Sequence, residues 1–254
     1  MYYCCGITEK GVMPHNEDAI IIGERVMNSG VAEMHLDVPF IAAVSDGVSG
    51  ELSGELASML CLNSLRSLGK YDTEGLKEGI MNIHHDLAEY SRSHADARNM
   101  QATLCGIAVD SSHNIVTYNV GDSRLYRFRD GQVRQLSRDQ SLVQLLYEEG
   151  SITREEKKTH SRRNIIFPVL GNAGSDPTVD AAPLEGGMEY GDVLIMCTDG
   201  LSDYVSSMDM QEILELPKSL FSRLEMMVDL ALERKCNDNI SVIALIYTDP
   251  GIRD

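Results

Sequence analysis

Long apolar runs and a secretory signal are missing from this sequence of 254 residues. Its apolar runs, such as Val193–Cys197 and residues 242–246, are far shorter than the roughly 18 to 20 residues that a membrane-spanning helix needs. The start of the chain shows no basic segment followed by an apolar core. We therefore expect a cytoplasmic protein without a membrane span.

Zinc-ligand motifs and basic charge are also scarce. The six cysteines show no CxxC pair and no HExxH helix is present, so zinc binding has little support. Cys61, Cys105 and Cys197 stand inside apolar stretches and are predicted to be reduced and buried. The formal net charge of -17 argues against a nucleic-acid partner, because such a field repels phosphates. Any phosphorylated ligand would need positive charge supplied locally.

What the sequence does contain is the pattern of one folded domain, with 43% apolar and 24% charged residues. Strands are predicted at 3–6, 19–26, 40–45, 101–110, 115–120, 193–198 and 240–247. The turn at Asp130-Gly131 predicts a hairpin between 124–129 and 132–136. Helical periodicity appears from 53 onward and at 76–90, 141–149, 210–214 and 220–231, and Thr153 opens a capping-box pattern. Antiparallel strands with covering helices predict an α+β fold.

Acidic residues stand where predicted strands begin or end. Asp46 directly follows the buried run Phe40–Ser45, Asp199 follows the run at 193–198, and a glycine comes next in both places. Four further acids occupy similar turns: Glu17, Asp18, Asp122 and Asp238. Each acid alone is explained by a turn or cap, but the six acids occupy five placements, because Glu17 and Asp18 are adjacent. Agreement among the five predicts a shared pocket whose like charges need protons or a cation. Oxygen ligands without Cys or His favour magnesium or manganese.

Five motifs in order carry a resemblance that covers nearly the whole chain. They are Asn16-Glu17-Asp18, Val44-Ser45-Asp46-Gly47, Gly121-Asp122-Ser123-Arg124, Thr198-Asp199-Gly200-Leu201-Ser202-Asp203 and Asp238-Asn239. The chain thereby resembles the metal-dependent protein phosphatases, the PPM or type 2C Ser/Thr phosphatases, and especially their compact bacterial members. The resemblance implies a four-layer α-β-β-α sandwich with two antiparallel sheets flanked by helices. It also implies a single phosphatase domain over residues 1–254, with an irregular flap-like segment around 138–190.

The same resemblance implies a centre for two divalent ions, Mn²⁺ or Mg²⁺, with room for a third. Asp46 would bridge the two ions and Asp18 would orient their waters, which makes these two the predicted catalytic residues. The full set of implied metal ligands is Glu17, Asp46, Gly47, Asp122, Asp199 and Asp238. A water between the ions would attack the phosphorus of phosphoserine or phosphothreonine proteins, and a Ser/Thr kinase would be the natural counterpart. Two alternatives stay open, a regulatory phosphatase for one signalling protein and a phosphoprotein-binding pseudophosphatase.

The pattern departs from the family in two places. Met13 stands where the family usually has an arginine that binds the substrate phosphate. Lys10 and Arg124 are the candidates to replace that positive charge. Val48 stands where many eukaryotic members have a histidine.

A basic run at 157–164 lies where the family carries its flap. It is either a solvated helix end or a contact for phosphopeptides through His160, Arg162 and Arg163. His84 and His85 lack a third ligand in the sequence, which favours an ordinary surface or core pair.

Overall fold

Two six-stranded antiparallel sheets stack face to face in the computed structural model, which describes residues 1–48 and 52–248. The first sheet, in spatial order, consists of β4 (Gly30–Leu36), β1 (Tyr2–Glu9), β12 (Ile240–Tyr247), β11 (Val193–Cys197), β8 (Arg124–Arg129) and β9 (Gln132–Gln135). The second consists of β10 (Asp180–Pro183), β7 (Ile115–Val120), β6 (Leu104–Val109), β5 (Phe40–Ser45), β2 (Ala19–Ile22) and β3 (Arg25–Met27). Labels follow chain order.

Helices cover the outer face of each sheet. On the second sheet these are α1 (Leu52–Arg66) and α2 (Thr73–Ser93), followed by a short 3-10 turn, Ala95–Ala97. On the first sheet they are α5 (Asp199–Ser202), α6 (Ser207–Leu214) and α7 (Leu220–Glu233). Two short helices, α3 (Leu142–Glu148) and α4 (Arg154–Thr159), lie in the connection between β9 and β10. The predicted α+β sandwich of four layers is confirmed.

Alternation along the strands explains why the core has three apolar layers. On β5, Ile41 and Ala43 pack against the helices, whereas Ala42 and Val44 pack between the sheets. Successive side chains of a strand point to opposite faces, so a strand covered on both sides must be apolar throughout. Even-numbered positions of β5 therefore face the space between the sheets. Asp46 continues that series just beyond the strand end.

Several details of the strand assignment differ from the sequence prediction. The single strand expected at 19–26 is a hairpin, because Gly23, with φ of +59°, turns the chain between β2 and β3. Strands β4 and β10 were not predicted; β4 alternates weakly and exposes most of its residues, and β10 has four residues inside the segment predicted as irregular. The predicted hairpin at Asp130-Gly131 is confirmed, and both residues have the positive φ of a type I′ turn.

The six cysteines are all free and buried, which confirms the prediction for Cys61, Cys105 and Cys197. Among residues 1–48 and 52–248, no helix is both long and apolar enough to cross a bilayer. Residues 49–51 and 249–254, which belong to the range expected for the phosphatase domain, lie outside the described residues.

Candidate metal centre

Acids from both sheets meet at one end of the sandwich. In the second sheet Ala19 pairs with Ser45, so the residues just beyond that pair, Asp18 and Asp46, lie side by side. Asp199 begins α5 directly after β11, and Asp238 lies two residues before β12, the strand that pairs with β11. Asp122 lies two residues after β7. Charge repulsion on Asp46 comes from all four of these acids, which places the five carboxyl groups in one cluster.

Hydrogen bonds across the gap between the sheets fix this cluster. The Thr198 hydroxyl, at the end of β11, donates to Asp18 Oδ2 at 2.8 Å, and it accepts the backbone N–H of Ser241 at 3.1 Å. Asp18 is buried, with 2% of its surface exposed. Because Asp18 belongs to the second sheet while Thr198 and Ser241 belong to the first, these bonds set the spacing between the acids that the two sheets carry.

Asp46 is held through its backbone, which leaves its carboxylate for the pocket. Its N–H donates to Thr103 Oγ1 at 3.0 Å, and its carbonyl accepts the N–H of Thr103 at 2.8 Å. Within the described residues, no protein donor hydrogen bonds to the carboxylates of Asp46 or Asp199. Both carboxylates are half-buried, and desolvated acids without a protein donor are suited to a ligand that supplies positive charge.

Glu17 and the carbonyl of Gly47 form a second part of the centre. A Cβ built on Gly54 would overlap Glu17 Oε2 and would lie 2.8 Å from Gly47 O, so both oxygens stand within a few ångströms of one point. The N–H of Gly47 donates to Glu17 O at 3.2 Å, and the N–H of Glu17 donates to Asn239 Oδ1 at 2.8 Å. Position 54 therefore needs a glycine, because any side chain there would clash with the Glu17 carboxylate.

Burial and mutual repulsion disfavour the charged forms of these acids. Burial, followed by repulsion from neighbouring carboxylates, raises the pKa of Asp46 and that of Asp199 well above the ordinary value. Burial raises the pKa of Asp18 to about 7 and that of Asp122 to about 6, in both cases against hydrogen bonds that lower it. Desolvation and like charge act together, so the cluster is costly unless cations occupy it. Oxygen donors alone suit the hard ions Mg²⁺ and Mn²⁺. The donor set therefore fits the implied ions.

The family model described as protein phosphatase 2C matches residues 32–237. The chain belongs to the protein phosphatase 2C family. This phosphatase is 31% identical to the Serine/threonine phosphatase stp of Listeria monocytogenes over 246 residues, which are 93% of this chain and 92% of that protein. It also resembles the crystal structure of the Ser/Thr phosphatase PstP/Ppp of Mycobacterium tuberculosis, with a TM-score of 0.81 and 27% identity over 98% of this chain and 100% of that one. The predicted family and enzyme class are confirmed.

A further solved relative contains metal. The catalytic domain of the Ser/Thr protein phosphatase PstP in complex with two manganese ions matches 98% of this phosphatase and 100% of that chain, with a TM-score of 0.78 and 26% identity.

One flap candidate of this phosphatase reaches the acidic cluster. The lining of a cleft of about 100 Å³ includes Asp199 and Asp238 as well as Arg163 and Asn164. Arg163 is exposed, and its N–H donates to His160 O at 3.1 Å in the turn after α4. The ring of His160 accepts the backbone N–H of Arg162 at 3.1 Å, so it shapes the turn. Of the three flap candidates, only Arg163 lines this cleft.

The two candidate replacements for the missing arginine have different surroundings. Lys10 is exposed, and its carbonyl accepts from Asn239 Nδ2 at 3.1 Å, so its loop lies beside Asp238. Arg124 is 17% exposed and its guanidinium is bound by Asp139 through two bonds of 3.0 and 2.9 Å. Met13 has 38% of its surface exposed in the same loop as Lys10.

Two residues with clear roles in the site were not assigned from the sequence. Asp203 lies directly after α5, one turn beyond Asp199, lines the same cleft, and adds to the repulsion that raises the pKa of Asp199. Its i, i+4 spacing within the Thr-Asp-Gly-Leu-Ser-Asp motif was the available signal. Asn239 hydrogen bonds to the backbone of Lys10, His15 and Glu17, which fixes the loop carrying the N-terminal acids.

A separate cluster supplies the third group that His84 and His85 lacked in the sequence. His84 is buried, and its Nε2 lies 3.4 Å from Asp176 Oδ1. The N–H of Gly171 donates to its Nδ1 at 3.2 Å, which places the ring proton on Nε2, facing Asp176. A metal at Nε2 would have to displace that proton, so the arrangement is that of a histidine tying α2 to the loop at 171–176.

Proposed function

We propose that this protein is a Mn²⁺- or Mg²⁺-dependent phosphatase of phosphoserine and phosphothreonine proteins, acting without a phosphoenzyme. The observation that carries the proposal is the cluster around Asp46. Four acids from both sheets repel its half-buried carboxylate, and no described protein donor compensates it. A fold does not keep such a cluster for stability, because desolvated like charges oppose folding. The cluster is explained by divalent ions that bind there.

In this proposal Asp46 would serve both ions, Asp199 and Asp238 would hold the first, and Glu17 and the Gly47 carbonyl would hold the second. Asp122 serves a third, weaker position together with Asp199. When bound, the ions supply a nucleophilic water at neutral pH and positive charge for the phosphoryl oxygens. The chain itself supplies rigid placement of these oxygen ligands by two packed sheets.

Asp18 is the residue that orders water at this centre. Its Oδ2 accepts a hydrogen bond from Thr198, and the negative charges of Asp238 and Glu17 act on it and raise its pKa. A carboxylate fixed in this way can accept protons from water and orient it for attack. Removal of its hydroxyl partner would loosen that orientation without removing a metal ligand.

Arg163 is the proposed contact for the substrate phosphate. It lines the same cleft as Asp199 and Asp238 and lies in the flap, where its positive charge is available to a phosphorylated side chain that enters the cleft. Guanidinium groups bind phosphate through paired hydrogen bonds. The cytoplasm is the proposed location, since all six cysteines are free thiols, and a Ser/Thr kinase of the same cell is the proposed counterpart.

The test is hydrolysis of p-nitrophenyl phosphate and of a phosphothreonine peptide, with Mn²⁺, with Mg²⁺ and with EDTA. We expect turnover with either ion and none with the chelator. Absence of turnover with every ion, together with retained phosphopeptide binding, would replace the proposal with a pseudophosphatase. The exposed Met13, in place of a phosphate-gripping arginine, is the feature that favours that second function.

A further inference from the structure

Asp139, a buried carboxylate outside the metal cluster, is the centre of a hydrogen-bonded network. It is 2% exposed and follows β9. Arg124 binds it through Nε at 3.0 Å and Nη2 at 2.9 Å, and Gln135 Nε2 donates to it at 2.7 Å. Its pKa is lowered despite burial, because Arg124 and Lys157 stabilise the charged form. Asp139 is therefore a fixed negative charge to which cationic side chains can be anchored.

Lys157 reaches this charge from the flap. It lies on α4, 20% exposed, and its Nζ donates to Asp139 Oδ2 at 3.0 Å. The same ammonium donates to Gln144 Oε1 on α3 at 2.5 Å. No other ion pair links α4 to the rest of the described chain, and α4 itself has no buried residue. The helix is thus held by polar contacts in place of an apolar face.

The far side of the network reaches the active-site helix. Arg124 Nη1 donates to the carbonyl of Ser202 on α5 at 3.2 Å, and its Nη2 lies 3.8 Å from Asp203 Oδ1. Asp203 lines the cleft that Arg163 also lines. A chain of charged contacts therefore runs from α4 through Asp139 to the cleft, and a buried chain of this kind holds a defined geometry.

The connection from α4 to Arg163 is short. Only three residues separate the end of α4 at Thr159 from Arg163, and the turn is closed by the bond from the N–H of Arg163 to His160 O. Displacement of α4 would therefore displace Arg163 from the cleft.

We propose that Lys157 is a positioning residue, which docks the flap helix on Asp139 and so holds Arg163 over the acidic cleft for phosphoprotein substrates. The inference rests on the proposed function of Arg163 as a phosphate contact. A small aryl phosphate needs only the metal centre, whereas a phosphopeptide also needs the flap to be in place. Loss of Lys157 should therefore act mainly on the peptide, through KM.

The experiment compares the Mn²⁺-loaded wild type with Lys157→Met, Lys157→Arg and Lys158→Met. Lys158 is the matched control, an exposed lysine on the same helix. We expect Lys157→Met to raise KM for a phosphothreonine peptide about tenfold, the equivalent of one lost charge-assisted hydrogen bond. Its kcat and KM for p-nitrophenyl phosphate should stay within about twofold, Lys157→Arg should restore peptide KM, and Lys158→Met should resemble the wild type.

Hydrogen exchange provides a second measurement that does not depend on turnover. Amides of residues 142–166 should exchange faster in Lys157→Met than in the wild type, and Lys158→Met should not change them. Equal losses on both substrates, an unchanged peptide KM, or unchanged exchange would each overturn the docking role. If the wild type itself shows no metal-dependent hydrolysis, the proposed function fails, and the exchange comparison still tests whether Lys157 docks α4.

Discussion

Replacement of Asp46 by Asn should change stability and activity in opposite directions. The carboxylate is half-buried beside four other acids, and loss of solvent and repulsion both raise its pKa. At pH 7.5 this carboxyl group is ionised in the unfolded chain. In the metal-free folded state, ionising it costs free energy because of desolvation and repulsion, so the acid opposes folding. Asn has the same shape without the charge. In EDTA we expect Asp46→Asn to be more stable than the wild type.

The expected gain is about 1 to 3 kcal/mol, the scale of removing one uncompensated charge that is repelled by its neighbours. For a chain of this length, this corresponds to a rise in Tm of roughly 2 to 12 °C in a thermal melt. Mn²⁺ at one hundred times its Kd would stabilise the wild type by about 2.7 kcal/mol. The variant should lose most of that shift, because the ligand proposed to bridge the ions has lost its charge.

Activity should fall by roughly 10³-fold or more in kcat/KM, equal to at least about 4 kcal/mol of transition-state stabilisation. Asp86→Asn is the matched control, since Asp86 is exposed on α2 and the substitution is chemically identical. It should leave the melt, the Mn²⁺ shift and turnover unchanged. A variant at Asp46 that keeps turnover, or that is less stable than the wild type in EDTA, would refute the reasoning about this cluster.

Three further outcomes follow from the same site. Met13→Arg should improve kcat/KM for a phosphothreonine peptide by about tenfold, through a charge-assisted contact, and an unchanged value would mean that another cation already serves the phosphate. Gly54→Ala places a methyl group against Glu17 Oε2 and should weaken Mn²⁺ binding at least tenfold in calorimetry, whereas Gly174→Ala, with no atom nearer than 3.5 Å, should not. The thermal stability of the metal-free protein should fall as the pH rises from 4 to 7, because the folded pKa of Asp18, about 7, exceeds its unfolded value. Saturating Mn²⁺ should reverse this trend. A metal-free Tm that rises over the same pH range would contradict the prediction.

The acids of the site could be predicted because strand ends and glycines mark them locally. Asp46 and Asp199 each follow a run of buried residues, and each is followed by a glycine, so the pattern needs no knowledge of distant partners. Two antiparallel sheets then bring the strand ends together. The family resemblance supplied the order of the motifs and the fold, which periodicity alone could give only as α+β.

Contacts between residues that are far apart in the sequence could not be predicted from local sequence patterns. Arg124 is a candidate replacement for the arginine missing at Met13, but its guanidinium pairs with Asp139, fifteen residues away across the β8–β9 hairpin. Lys157 reaches Asp139 from eighteen residues further along the chain. Neither ion pair produces a periodic pattern in the sequence, because its formation depends on how the loops place the two residues in space. Strand β4 was missed for a related reason, because an exposed edge strand needs little apolar alternation.

The acids of the site reduce the stability of the metal-free fold. Other parts of the structure supply the stability that keeps these acids in place. Three apolar layers pack the sheets and their helices, with Thr103 and Thr198 completing the bonds that hold Asp46 and Asp18 at the strand ends. These bonds go to backbone groups or to one carboxylate oxygen, so they fix the acids without neutralising them. Strain at a functional site is tolerated where the surrounding structure over-determines it. A substitution in the apolar layers should therefore reduce overall stability, whereas a substitution among the acids should remove function and stabilise the metal-free fold.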